Sequence, residues 1–411
     1  MERTQHDVII VGGGPAGATA AHELASAGHS VLLIDRPGRI KPCGGAIPPR
    51  LLADFDIPPS ILTGRVGGAR IISPAGREVD MAIDGSFVGM VDRDHFDPWL
   101  RQRAADAGAT LVEGRFDTLS RLDNGRVEAA YTVAGERQVA EAALIIGADG
   151  ANSQVRRQAF GPDKRPPYVF AYHEIVRTPS ALEGFDDGNC QVFYQGRISP
   201  DFYGWVFPHG ATTSVGVGSA VKGHDLKEAT RLLREASGLL ECETVREEGA
   251  PLPLKPLKRW DDGRNVLLAG DAAGVVAPAS GEGIYYAMIA GRMSAEAGTA
   301  FLATGSAKEL AQPRRRFMRE HGRVFMILGL MQGFWYRGDR RRERFVAICA
   351  DPDVQRLTWE SYLNKRLVRT DPLAHIRVFF KDLAHMARLA VSWGDRAKGP
   401  VPAAGIAKTS D

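Results

Sequence analysis

The 411-residue sequence carries 52 basic and 49 acidic side chains, a net charge of +3, with 44% apolar and 25% charged residues. These are ordinary globular values, so a disordered or collagen-like chain is excluded and the length allows two or three domains. Four dispersed cysteines, Cys43, Cys190, Cys242 and Cys349, form no C-x-x-C pair, so a disulfide framework and zinc or iron-sulfur ligation are not expected, a metal is not implied, and a reducing compartment is.

The start, MERTQHDVII, lacks the charged head and longer apolar stretch of a signal peptide, which makes cytoplasmic residence the default. It runs into an apolar strand, DVIIV (7–11), followed by a glycine cluster, a helical stretch to Ala27 and a second strand, Ser30 to Asp35: a β-α-β unit. Within it Gly12, Gly14 and Gly17 form G-x-G-x-x-G. The first glycine permits a tight turn, the second lets a pyrophosphate approach the backbone, and the third lets helix and strand pack closely. Asp35, followed by Arg36, ends the next strand 23 residues after Gly12, placed to accept hydrogen bonds from ribose hydroxyls. Dinucleotide binding is expected.

Residues 69–90 read as a hairpin turning at Pro74, Ala75 and Gly76, and helical periodicity returns at Phe96 to Ala107. Strands then alternate with turns to Ala140, and LIIGADG (144–150) is a buried strand ending in glycine and aspartate. From Tyr168 to Leu257 short aromatic and β-branched segments indicate an antiparallel sheet. Strand NVLLAGD (265–271) leads into a long helix from Gly283 to about Leu302, and the remainder reads as helices. The expected class is therefore α/β. A Rossmann-like nucleotide domain (1–68, 91–165 and 262–307) is interrupted by an antiparallel-sheet substrate domain (69–90 and 166–261) and followed by a helical region (308–411).

From Lys308 to Asp411 there are 21 basic and 11 acidic side chains, which leaves the first 307 residues at −7. The basic end suits an acidic surface or a solvated helical face, and no nucleic-acid-binding module accompanies it, so nucleic acid is not an expected partner. Its apolar stretch, Val324 to Tyr336, is thirteen residues long, whereas a bilayer span needs about 20. Flanked by Arg314 to Arg316 and Arg340 to Arg342, it suits a helix lying on a membrane or one buried against the fold.

The segment LLAGDAAGVVAPASGEGIYYA (267–287) resembles the second FAD motif of the para-hydroxybenzoate hydroxylase-like flavoproteins. The resemblance implies that Asp271 holds the ribityl or pyrophosphate part of FAD. It also implies that the turn with Pro278, Gly281 and Gly283 passes the flavin ring at a helix N-terminus, where the negative charge of reduced flavin is favoured. GADGAN (147–152) and VDRDHFD (91–97) resemble two further motifs of that class, implying flavin roles for Asp149 and Arg93.

Within this class, IKPCGGAIPPRL (40–51) and SPDFYGWVFPHG (199–210) resemble the geranylgeranyl reductase family, whose Y-x-W-x-F-P pattern appears as Tyr203, Trp205, Phe207 and Pro208. Lys41 stands where the archaeal lipid-reducing branch has tyrosine, so the resemblance is to the chlorophyll and bacteriochlorophyll branch, and it runs on through GEGIYYA, RRERF and NKRLVR. It implies three successive two-electron reductions that convert the geranylgeranyl tail of a bacteriochlorophyll-type pigment to phytyl. NADPH or reduced ferredoxin is the implied donor. Peripheral attachment to the cytoplasmic side of a photosynthetic membrane and contact with the pigment synthase are implied as well. With a single complete glycine fingerprint, a nicotinamide is expected to bind only transiently.

An isolated alkene has no carbonyl to hold negative charge, so an oxyanion hole cannot drive hydride addition and a proton must be delivered in concert or beforehand. A dry aromatic pocket suits the chain and excludes water. Tyr203, Trp205 and Phe207 are suited to line it, or to serve as sheet core. Cys43, followed by Gly44 and Gly45 that let the backbone approach the flavin, is expected to deliver the proton or position the alkene; a small buried hydrophobe is the plainer reading. A flavin monooxygenase or halogenase would share the glycine and aspartate motifs. Gly274, where many aromatic hydroxylases have histidine, and the replacement of the halogenase pattern W-x-W-x-I-P both favour a reductase. Free geranylgeranyl diphosphate or another geranylgeranyl lipid is the alternative substrate, and a pigment carrier with a merely structural FAD the alternative function.

Overall fold

A computed structural model describes residues 3–38, 40–178 and 185–365. The described residues up to Ala350 form one compact unit that holds three sheets, and those from Asp351 to Lys365 belong to a second. The first sheet grows around strand Arg3–Val11, which pairs in parallel with Val31–Asp35 on one side and Glu136–Gly147 on the other. Val8, Ile9 and Ile10 are wholly buried and Val11 nearly so, as a central parallel strand covered on both faces requires. Thr110–Glu113 extends one edge in parallel, Val127–Val133 and Arg115–Arg121 extend the other antiparallel, and Val266–Leu268 joins the end of Glu136–Gly147.

Helix Pro15–Ser26 follows the first strand, and helix Ile284–Thr304 crosses it so closely that a Cβ on Gly291 would stand 2.3 Å from the Ala16 carbonyl oxygen. The carboxyl ends of Arg3–Val11, Val31–Asp35, Glu136–Gly147 and Val266–Leu268 all open at one edge, where open α/β sheets bind ligands.

The second sheet runs Thr244–Pro253, Tyr168–Arg177, Thr212–Ser219, Gly204–Pro208, Asn189–Phe193, Gly68–Ile72 and Glu78–Ala82. It is antiparallel as expected, except that Asn189–Phe193 pairs in parallel with Gly68–Ile72. Residues 69–90 do not act together either. The hairpin Gly68–Ile72 and Glu78–Ala82 joins this sheet, while Val88–Met90 pairs with Ala46–Ile47 and Gly64–Val66 in a three-stranded sheet. A helix that the aromatic pattern had obscured, Leu226–Ala236, is capped by the Asp225 side chain and buries Ala229 and Leu233.

Of the expected helical region 308–411, helices Gln312–Trp335 and Asp339–Ile348 belong to the first unit and Pro352–Asn364 to the second, and positions 366–411 lie outside the described residues. Helix Gln312–Trp335 has two faces. Phe317, His321 and Phe325 are buried, whereas Met326 and Leu330 are 60% and 66% exposed and Phe334 is exposed beside them. No helix among the described residues is long and apolar enough to cross a membrane.

Candidate functional site

The glycine turn is built by contacts that exclude side chains. Gly12 has φ 102°, and a Cβ there would lie 2.4 Å from the Ala148 carbonyl oxygen; one on Gly17 would lie 1.8 Å from the Gly12 oxygen. Gly14 is different, since a Cβ there meets only Arg93 Nη2 at 3.8 Å and would project into open space. That space is a cavity of about 380 Å³, within the range of cofactor pockets. Its lining includes Asp35 and Arg36 as well as Lys41, Arg93 and Asp271. Asp35 ends its strand with its carboxylate 3.1 Å from Arg101 Nη1, which also donates to the Gly13 carbonyl.

Asp271, buried, accepts a hydrogen bond from Lys41 Nζ. A Cβ on Gly283 would come within 3.9 Å of Asp271 Oδ1, so the two parts of the late glycine motif meet. Arg93 is buried and donates through Nε and Nη2 to both oxygens of Asp97 at 2.7 Å. Burial alone would lower the Arg93 guanidinium, but the charge and hydrogen bonds of Asp97, aided by contact with Cys43, hold it above its ordinary value. Asp149 lines the same cavity, yet one carboxylate oxygen accepts from the backbone N–H groups of Gln154, at 2.6 Å, and Val155, at 3.2 Å. It anchors the start of helix Gln154–Phe160, and burial pushes its carboxyl above the usual carboxylate range.

Alternation along a strand puts Tyr203, Trp205 and Phe207 on one face. Tyr203 Oη donates to the Ser280 carbonyl at 2.6 Å, and a Cβ on Gly281 would sit 3.0 Å from that hydroxyl oxygen. Trp205 and Phe207 instead face the cysteine loop, with a Cβ on Gly44 meeting the Phe207 ring at 3.0 Å and Trp205 Nε1 at 3.4 Å. The aromatic strand thus bridges the Cys43–Gly45 loop and the Pro278–Gly283 turn. Pro208, its last residue, is buried and pairs with Thr213, and Gly45 N donates to Cys43 Sγ at 3.4 Å.

Three features escaped the reading of the sequence. His209, next to the aromatic motif, bonds both Asp92 and the Gly44 carbonyl. Tyr336 Oη donates to the Ala279 carbonyl at 2.9 Å, while Ala279 N donates to Gln332 Oε1 at 3.3 Å. Lys41, which served only to choose between branches, reaches Asp271. The apolar helix around Gln332 gave a signal of position, but none of these partners is near in sequence.

A side chain at Gly14 would fill the cradle, and the strand-end Asp35 and the buried Asp271 both line the cavity, so the residues fit a dinucleotide. Gly12, Gly14, Gly17, Asp35 and Arg36 would hold its adenosine and pyrophosphate half, and Lys41, Arg93, Asp271 and the Pro278–Gly283 turn its flavin half. Residues 6–155 match the pyridine nucleotide-disulphide oxidoreductase family. A solved protein of Thermoplasma acidophilum described as geranylgeranyl bacteriochlorophyll reductase-like shares the fold at a TM-score of 0.77 and 23% identity, over 91% of this chain and all of its own. The class is that of FAD-dependent oxidoreductases. The geranylgeranyl diphosphate reductase of Rhodobacter capsulatus is 54% identical over 94% of this chain and 98% of its own, and that of Synechocystis 35% identical over 93% and 98%. The chain belongs to the geranylgeranyl reductase family.

Proposed function

We propose that this chain saturates the isolated double bonds of a geranylgeranyl group esterified to a bacteriochlorophyll-type pigment, in three two-electron steps, drawing electrons from NADPH or reduced ferredoxin. Bound FAD supplies the hydride. The observation that carries the reading is the aromatic strand, whose Tyr203, Trp205 and Phe207 stand against both loops that would flank the flavin ring. These side chains exclude water and pack on an apolar chain. Cys43, held between that strand and Arg93, is assigned proton delivery or alkene positioning.

Attachment to the photosynthetic membrane is supported by the exposed apolar face of helix Gln312–Trp335, with Arg319 and Arg323 before it and Arg337, Arg340 and Arg341 after it. That arrangement suits an anionic bilayer surface, where a pigment synthase would also present its product. A second reading, reduction of free geranylgeranyl diphosphate, is favoured by the names of the relatives.

The test is anaerobic incubation of flavin-loaded protein and reductant with geranylgeranylated bacteriochlorophyll or with geranylgeranyl diphosphate, followed by mass spectrometry. Successive gains of two hydrogens on the pigment are expected. Gains on the diphosphate alone would move the assignment to the second reading, and no gain of hydrogen here with oxygen-consuming turnover in a parallel aerobic incubation would replace reduction by monooxygenation.

A further inference from the structure

His209 follows the aromatic strand Gly204–Pro208 and is almost wholly buried. Its Nδ1 lies 2.6 Å from Asp92 Oδ1 and its Nε2 lies 3.0 Å from the Gly44 carbonyl oxygen. A carbonyl oxygen only accepts, so Nε2 carries a hydrogen. Asp92 is held below the ordinary carboxylate range: burial opposes this, but the hydrogen bond and charge of His209, with smaller help from Arg246 and His95, prevail. The Asp92 carboxylate oxygen is the second acceptor, so the ring bridges the two. The other charged neighbours keep to their own partners, Arg246 binding Asp94 at 3.2 Å and Glu248 at 2.6 Å.

Asp92 precedes helix Arg93–Asp106 at its N-cap, a position that favours an aspartate for capping, yet its side chain makes no cap hydrogen bond. The carboxylate is turned to the histidine instead. On the loop side, Gly45 has φ 73°, and a Cβ there would stand 2.4 Å from both His209 Cε1 and the Val91 oxygen, so the ring packs directly on the loop backbone. Val91 N donates to the Gly45 carbonyl at 3.0 Å. Two successive carbonyls of the cysteine loop are therefore tied, one to His209 and one to the residue before Asp92.

We propose that His209 is a positioning residue, a clamp that fixes the Cys43–Gly45 loop to Asp92 and so sets where the Cys43 thiol stands relative to Arg93. Asparagine at position 92 still offers Nδ1 a hydrogen-bonding partner and leaves Nε2–H for Gly44, so it preserves the loop bond. Alanine cannot orient the ring.

The experiment measures the rate at which iodoacetamide alkylates Cys43 in flavin-loaded protein, read by peptide mass spectrometry without polyprenyl substrate, with Cys242 as internal control. It therefore fails or succeeds independently of the proposed reaction. His209→Phe and Asp92→Ala should each change the Cys43 rate by roughly tenfold, the effect of losing one hydrogen bond of a charged group, with the Cys242 rate unchanged. Asp92→Asn should restore the parent rate to within about twofold. If His209→Phe does not fold, the two Asp92 variants decide alone. Equal rates for Asp92→Asn and Asp92→Ala, or parent rates in all folded variants, overturn the clamp.

Discussion

At Gly14 the backbone has φ −75° and ψ −174°, extended geometry that alanine adopts without strain, and the new methyl would face the cavity, with Arg93 Nη2 3.8 Å away as its nearest neighbour. In the apoprotein two small effects oppose. Alanine restricts the unfolded chain, a gain of about 0.4–1 kcal/mol, but is a poorer N-cap than glycine by a similar amount. The unfolding free energy of the Gly14→Ala apoprotein should therefore change by less than about 1 kcal/mol. Flavin binding should not survive so well. The methyl occupies the ground where a pyrophosphate would meet the backbone, and overpacking of about 1–3 kcal/mol weakens FAD binding roughly 5- to 150-fold. Gly17→Ala is the contrast, since its Cβ would be 1.8 Å from the Gly12 oxygen, so helix and strand must part and the fold itself suffers. Urea unfolding of deflavinated protein and titration with FAD by flavin fluorescence separate the two effects. Parent affinity in Gly14→Ala, or an apoprotein as damaged as Gly17→Ala, would refute the assignment of this cavity to the cofactor.

Gly274→His should fail to give stable protein, because φ is 86° and a Cβ would lie 2.3 Å from the Lys255 oxygen; strain and clash together cost more than about 2 kcal/mol, and a parent-like melting temperature would contradict this. Asp149→Asn keeps an oxygen for the N–H groups of Gln154 and Val155 but removes a buried charge. Because burial raises the folded-state value above the ordinary 3.8, wild type and variant should be alike below about pH 4. As pH rises past that value the unfolded wild-type chain ionises more readily than the folded one, so wild type loses stability relative to the variant. Apoprotein melting at pH 4 and pH 7 reads this, and an unchanged gap between the two proteins would count against it.

The parts of the molecule that could be read from sequence are those whose physics is local. Val8 to Val11 form an uninterrupted apolar run because both faces of the strand are covered, and the glycine spacing reflects contacts within one β-α-β unit. Helix Leu226–Ala236 was also legible, with Asp225 as cap and Leu226, Ala229, Thr230 and Leu233 at helical spacing, but the surrounding aromatic strands drew the reading toward sheet. The parallel pairing of Asn189–Phe193 with Gly68–Ile72 was not legible, since it joins segments far apart in the chain and leaves no mark on either.

The same holds at the site, where the late glycine turn shows why. Ala279 sits there at φ 63°, a conformation unfavourable for a residue with a side chain, and strain of this kind, about 1–3 kcal/mol, persists only where surrounding contacts over-determine it. Those contacts come from the far end of helix Gln312–Trp335 and just beyond it: Gln332 accepts from the Ala279 N–H and Tyr336 donates to its carbonyl, while Tyr194 shares a hydrogen bond with Tyr336 at 3.1 Å. A stretch that the sequence presents only as apolar and flanked by arginines is thus divided by the fold. Met326 and Leu330 face outward, and the inward side holds the backbone turn against which the aromatic strand closes.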